Sequence, residues 1–136
     1  MAEHACISEH LGDLASIYDP AIHLAVARRN ADPAVAGFVA EVFARRCLPS
    51  AELIVGPGTS MTDHLPAALG PFAKGVAAVP GYADFCRDLE LHVTIFTELF
   101  ELDAAGMRIT TLEGPMCPRF HVDHVPCRLI TTYGGG

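Results

Sequence analysis

Residues capable of metal chemistry are concentrated near the C-terminal end of the sequence. The segment 117–133 reads CPRFHVDHVPCRLITTY and contains Cys117, His121, Asp123, His124 and Cys127. In an extended strand, residues two positions apart share a face, so the side chains of His121 and Asp123 would project together. An imidazole and a carboxylate on one face supply two ligands of the 2-His-1-carboxylate triad of Fe(II) enzymes. The third ligand would come from elsewhere in the chain.

The two cysteines of this segment favour a different metal. Cys117, His121, Asp123 and Cys127 are all competent Zn²⁺ ligands, and thiolates select zinc over the chemistry of Fe(II) oxygenases. Their order, C-x-x-x-H-x-D-x-x-x-C, is not that of a standard zinc finger. The segment therefore predicts a site for a divalent metal ion, either Zn²⁺ or Fe(II). A purely structural role, in which His121 hydrogen-bonds to Asp123 or Tyr133, is the alternative.

Two stretches with the composition of β-strands flank the His-x-Asp pair. Residues 107–113 (MRITTLE) and 128–133 (RLITTY) are rich in β-branched residues, and Gly114-Pro115 ends the first of them. We expect both stretches to be strands of an antiparallel sheet that positions the metal ligands.

This pattern resembles the bacterial family called domain of unknown function 1826. The family hallmark, C-P-x-F-H-x-D followed by R-L-x-x-T-Y and glycines, is matched by Cys117, Pro118, Phe120, His121 and Asp123, and then by Arg128, Leu129, Thr132, Tyr133 and Gly134. A weaker resemblance extends to residues 16–20 and to the middle of the chain. The resemblance implies a link to zinc homeostasis. It also implies that members continue past the glycines, so we expect residues 1–136 to be a truncated copy of a larger domain.

The same segment resembles, over a shorter stretch, the start of the double-stranded β-helix of 2-oxoglutarate/Fe(II) oxygenases. That resemblance implies a cupin-like sheet in which His121 and Asp123 hold Fe(II). It also implies that Arg128 and Tyr133 contribute to binding a cofactor or small-molecule ligand. The distal histidine and the basic residue of that superfamily would lie beyond Gly136.

Composition predicts a single soluble domain. The chain has 136 residues, of which 51% are hydrophobic, and this content suits a packed globular protein. The net charge of −7, with no basic stripe, argues against nucleic acid as a partner. No apolar run is long enough to span a membrane, and no secretory signal is present, so we expect a cytoplasmic protein. The five cysteines, an odd number without a C-x-x-C pair, argue against a disulfide framework.

The remaining patterns predict the elements that position the motif. Pro residues after Asp19 and Asp32 predict helices over 20–29 and 33–47, and apolar spacing predicts a long helix over 82–102. Residues 51–55 are expected to form a short strand, followed by a turn over 56–60. His92 lies beside the apolar stripe of the long helix, where a hydrogen-bonded core histidine is expected rather than a ligand. The fold class is therefore predicted as α+β. A mainly helical part, 1–105, packs on an antiparallel sheet in 106–136, the start of an incomplete cupin-like double-stranded β-helix.

Overall fold

The computed structural model describes residues 5–9, 11–19, 24–27, 32–45, 51–69, 75–109, 129–130 and 133. Helices and strands are mixed along these residues, which confirms the α+β class. Contacts divide the chain into two compact units, Met1–Asp32 and Pro33–Gly136. In the described ranges no helix is both long enough and apolar enough to cross a membrane.

The first unit contains a parallel pair of strands. Strand β1 spans Ala5–Ser8 and strand β2 spans Leu24–Ala27, with Cys6 opposite Ala25, and a 3-10 helix over Leu11–Tyr18 lies between them in sequence. The helix predicted over 20–29 is therefore wrong at residues 24–27. These four residues read LAVA, and a short apolar run is compatible with either a strand or a helix. Pairing with β1 decides in favour of the strand.

Two helices contribute most of the described core of the second unit. Helix α1 spans Pro33–Ala44 and helix α3 spans Tyr82–Leu99, so both predicted amphipathic helices are confirmed with shorter C-terminal ends. The rings of Phe38 on α1 and Phe85 on α3 stack with their centroids 4.9 Å apart. Among the described residues of this unit, the buried hydrophobic ones are Val35, Phe38, Val39, Val42, Ala51, Val55, Met61, Leu65, Val76, Val79, Tyr82, Phe85, Cys86, Leu89 and Val93.

The sheet of this unit pairs the middle of the chain with the segment after α3. Strand β3 (Ala51–Val55) is antiparallel to strand β4 (Ala105–Ile109), with Leu53 opposite Met107. Side chains alternate across β3, because Ala51 and Val55 are buried whereas Ile54 is 83% exposed. The described partner of β4 is thus β3 rather than a C-terminal strand. Residues 110–113 lie outside the described ranges.

The strand predicted over 128–133 is not seen in its described residues. Leu129, Ile130 and Tyr133 belong to no helix or strand. The side chain of Tyr133 packs against the hydrophobic core.

Helix α2 (Met61–Leu69) was missed because its sequence carries helix-breaking signals. It follows the turn at residues 56–60 and contains Pro66. A proline has no N–H, so the carbonyl of Thr62, four residues earlier, lacks its usual helical donor. The hydroxyl of Tyr82 on α3 donates to that carbonyl at 3.2 Å. At the start of α2, the Glu90 carboxylate of α3 accepts a hydrogen bond from the backbone N–H of Met61 at 2.9 Å. Helix α3 therefore provides hydrogen-bond partners for two backbone groups of α2 that have none within their own helix.

The Tyr82 hydroxyl should stabilise the fold because it replaces the backbone N–H that Pro66 cannot donate to the carbonyl of Thr62. We expect Tyr82→Phe to lower the free energy of unfolding by about 0.5–1.5 kcal/mol, the net contribution of one hydrogen bond to a part-buried carbonyl. In a Pro66→Ala background, the restored N–H can donate to Thr62, so the same change should cost clearly less. Urea unfolding of the two single variants and the double variant measures this coupling. Equal costs in both backgrounds would show that the hydroxyl does not replace the missing donor.

Gly81, just before the first residue of α3, should tolerate no side chain because it lies close to α1. Its φ is +91°, and a Cβ atom there would lie 2.3 Å from the carbonyl oxygen of Ala34 and 3.0 Å from the Cβ of Phe38. Gly75 provides a matched control: its φ is +86°, and a Cβ there would have no described neighbour within 4 Å. Gly75→Ala should cost about 1–2 kcal/mol for the left-handed backbone alone. We expect Gly81→Ala to cost a further ~1–3 kcal/mol from the overlap. Similar losses in urea unfolding would contradict this close approach.

Candidate functional site

Most of the predicted ligands lie outside the described residues. Cys117, His121, Asp123, Cys127 and Arg128 fall in the range 110–128, for which the structure gives no placement. Tyr133 is the predicted site residue that can be located. The residues around Tyr133 therefore show which part of the second unit the C-terminal end of the motif contacts.

Tyr133 is fixed on one side of helix α3. Its hydroxyl donates a hydrogen bond to Oδ2 of Asp88. Its ring meets Phe85 edge to face at a centroid distance of 5.0 Å, and it approaches the His92 ring at 6.3 Å in a similar orientation. Phe85, Asp88 and His92 follow one another at helical spacing, so these described contacts of the Tyr133 side chain lie on one face of α3.

Asp88 and His92 form a second acid–imidazole pair in the chain. The Nδ1 atom of His92 lies 2.7 Å from the backbone oxygen of Asp88 and 3.5 Å from its carboxylate oxygen Oδ2. A carbonyl oxygen can only accept, so Nδ1 carries the proton and donates it. Nε2 then presents a lone pair, and no described residue forms a hydrogen bond with it. This agrees with the expected hydrogen-bonded core histidine and adds its tautomer.

Both side chains of the pair are largely shielded from water. The side chain of Asp88 is 14% exposed and that of His92 is 12% exposed. A carboxylate in such surroundings is stabilised by hydrogen bonds, and the Tyr133 hydroxyl provides one. We refer to Asp88, His92 and Tyr133 together as the α3 cluster. Its chemistry comprises an imidazole nitrogen, a carboxylate and a phenol hydroxyl.

The α3 cluster by itself is not a complete metal site. Among the described residues, no group of three or more His, Cys, Asp or Glu side chains is arranged to hold a metal ion. Sequence analysis identified His92 but not its partnership with Asp88. The signal was present, since an acid and a histidine four residues apart lie on the same helical face.

Tyr82 and Cys86, two other ionisable residues of α3, remain protonated at neutral pH. Burial raises the pKa of the Tyr82 phenol, and its hydrogen bond to Cys86 adds to the shift. Burial likewise raises the pKa of the Cys86 thiol, whose residue is fully buried. A buried neutral thiol is a poor nucleophile and a poor metal ligand, so Cys86 acts as a core residue.

A cavity of about 380 Å³ lies on another side of α3. The turn 56–60 and the start of α2 form one wall, and Arg87, Glu90 and Thr94 of α3 contribute to the other. Glu90 is already engaged with the Met61 N–H, and Arg87 pairs with Asp84.

The hydrogen bond between Tyr133 and Asp88 should contribute to the free energy of unfolding of the second unit. We expect Tyr133→Phe to lower the free energy of unfolding by about 1–3 kcal/mol, because it removes a hydrogen-bond donor from a shielded carboxylate. Asp88→Asn removes the charge that requires this donor, so the two changes should be non-additive by about 1 kcal/mol or more. Urea unfolding of metal-free single and double variants measures the coupling. Strict additivity would show that the two side chains do not interact.

Comparison with known proteins identifies the family. The family model described as "Protein of unknown function (DUF1826)" matches residues 8–136, nearly the whole chain. Comparison with curated proteins and with solved structures gave no significant match. The matched range includes both the motif at 117–133 and helix α3 with its cluster. This chain therefore belongs to the DUF1826 family of proteins of unknown function.

Proposed function

We propose that this protein binds a divalent metal ion, preferentially Zn²⁺, and serves in zinc handling rather than in catalysis. Cys117, His121, Asp123 and Cys127 are the proposed ligands. Their donor atoms, two thiolates, an imidazole and a carboxylate, form a set typical of four-coordinate zinc. The observation that carries the proposal is the anchoring of Tyr133, the last residue of the R-L-x-x-T-Y motif, on Asp88 beside the His92 ring. This contact holds the end of the motif against a rigid helix.

The environment of Tyr133 favours zinc binding over cosubstrate binding. Its hydroxyl donates to Asp88, so a ligand that needed the same hydroxyl would compete with a shielded carboxylate. We propose a structural role for Tyr133 and leave Arg128 as the residue of the motif available to a small anionic ligand. A cytoplasmic location fits the proposal, because a reducing compartment keeps the motif's thiols available to a metal.

The alternative is an Fe(II)-dependent, oxygenase-like enzyme that uses His121 and Asp123 as ligands. One observation favours it: β4, in an antiparallel pair, precedes the motif as the first strand of a cupin-like double-stranded β-helix would. Fe(II), when bound, would supply the oxygen chemistry. This alternative includes the finer fold prediction for residues 106–136. Iron as the retained metal, together with 2-oxoglutarate-dependent oxygen uptake, would decide for it.

Metal content tests the proposal directly. The protein is purified without added metal, and its metals are measured by elemental analysis next to His121→Ala and Asp123→Ala. His64→Ala is the matched control, because His64 is an exposed helical histidine whose Nδ1 is bound to a backbone oxygen. We expect near-stoichiometric zinc in the wild type and in the control, and its loss in both motif variants. A wild-type chain without zinc, or motif variants that retain it, would contradict the proposal.

The two cysteines test whether the proposed site is closed. If Cys117 and Cys127 are ligands, exchange of both for serine should abolish near-stoichiometric zinc, because a neutral hydroxyl is a far weaker donor to zinc than a thiolate. Unchanged zinc affinity in the double variant would exclude the cysteines and leave a site built from His121 and Asp123.

A further inference from the structure

We propose that the cavity between helix α3 and the turn 56–60 binds a small zwitterion, an α-amino acid with a short apolar side chain. The cavity measures about 380 Å³, at the lower end of the ~300–1,000 Å³ typical of ligand sites. Its described lining comes from this turn, from the first residues of α2 and from α3. This binding involves no metal ion and therefore goes beyond the proposed function.

Two residues of opposite charge line the α3 side of the cavity. Arg87 and Glu90 are three positions apart on this helix, a spacing at which an acid and a base can pair. The described bonds direct each of them elsewhere. Asp84 accepts from Arg87, and Glu90 accepts from the backbone N–H of Met61 at 2.9 Å. The cavity wall therefore carries a positive and a negative group that are not paired with each other.

Both charged groups retain hydrogen-bonding capacity for a ligand. A guanidinium has five N–H donors, and the described bond to Asp84 uses one nitrogen of Arg87, whose side chain is 68% exposed. A carboxylate has two oxygens, and the bond to Met61 uses Oε2 of Glu90. The carboxylate of a zwitterion can therefore bind to Arg87 while its ammonium group binds to Glu90. A simple anion would be repelled by Glu90, and a simple cation by Arg87.

Hydroxyl groups on the other wall add donors for the ligand's carboxylate. Oγ1 of Thr59 accepts from the Gly56 N–H at 3.0 Å, and within the described ranges no residue accepts its own proton. Ser60 and Thr62 share one hydrogen bond between their hydroxyl oxygens at 3.0 Å, so one of their two protons is left to donate. These side chains therefore complement the guanidinium of Arg87.

Two buried apolar side chains favour an apolar substituent on the ligand. Met61 and Val93 also line the cavity, and both are buried in the fold. They provide apolar surface beside the two charged groups, against which a small alkyl group can be removed from water. An α-amino acid of the size of alanine or valine combines a carboxylate, an ammonium group and such an alkyl group.

The test compares three probes of similar shape on the unaltered chain. L-Valine is the zwitterion, L-valinamide lacks the negative charge, and isovalerate lacks the ammonium group. By isothermal titration calorimetry, L-valine should bind with a Kd of about 1 mM or below, and each singly charged probe should bind at least about 10-fold more weakly. Failure of L-valine to bind, or equal affinity for all three probes, would overturn the inference.

A second measurement locates the bound probe, also on the unaltered chain. In ¹³C NMR of protein labelled at the methionine methyl groups, L-valine should shift the signal of Met61, which lines the cavity. The signal of Met107 on strand β4 should stay in place. Binding of L-valine with an unmoved Met61 signal would place the ligand elsewhere and overturn the inference.

Matched variants test the two charged groups separately. Arg87→Gln and Glu90→Gln should each raise the Kd for L-valine by about 10-fold or more, because each removes one charged partner. The amide of Glu90→Gln keeps an oxygen that can accept from the Met61 N–H. Arg45→Gln is the control and should leave the Kd unchanged, because Arg45 is an exposed arginine paired with an acid of its own helix. Thermal unfolding checks that each variant is folded, and wild-type affinity in either folded cavity variant would overturn the inference.

Discussion

The second unit depends on helix α3, which packs against the core with its apolar residues and forms hydrogen bonds to other segments with its polar residues. Its apolar stripe packs against α1 through the stacked rings of Phe38 and Phe85. Full burial of each such side chain stabilises a fold by about 1.5–3 kcal/mol, so the two rings together contribute several kcal/mol to the core. Its polar side chains form hydrogen bonds with groups of other segments. Tyr82 and Glu90 bond to backbone groups of α2, and Asp88 accepts from the hydroxyl of Tyr133.

This arrangement connects the core to the proposed site. A row of aromatic rings runs from Phe38 through Phe85 to Tyr133, with centroid distances of 4.9 Å and 5.0 Å. Tyr133 therefore contacts the core with its ring and the α3 cluster with its hydroxyl. Functional groups mounted on a packed helix are held more precisely than groups on loops. In this account, the family motif gains its rigid support at its C-terminal end from residues far earlier in the chain.

Sequence predicted the elements whose signals are local. Helices α1 and α3 have apolar residues at helical spacing, and β3 has a short apolar core bounded by a turn, so all three were found. Two failures have physical causes. The strand Leu24–Ala27 depends on pairing with a distant segment, and α2 tolerates Pro66 only because Tyr82 compensates for the missing N–H. Neither condition is visible in a local window of sequence.

Local sequence signals also account for the choice of candidate ligands. Residue types and spacing single out His121 and Asp123 because they are neighbours in sequence, and their role as ligands stays a prediction. The contact between Tyr133 and Asp88 joins residues distant in sequence, and sequence provides no signal for it. His92 was noticed as a core histidine, but its tautomer follows only from the position of its Nδ1 atom. The link to zinc came from the family resemblance and from the cysteines, not from the fold.

The central claim is that the chain carries a zinc site built from thiolate and imidazole donors. X-ray absorption at the zinc edge of the zinc-loaded protein tests it most directly, because the scattering shell reports ligand types. The account predicts sulfur scatterers at about 2.3 Å together with the multiple-scattering pattern of imidazole. A shell of oxygen atoms only, with neither sulfur nor imidazole, would contradict it.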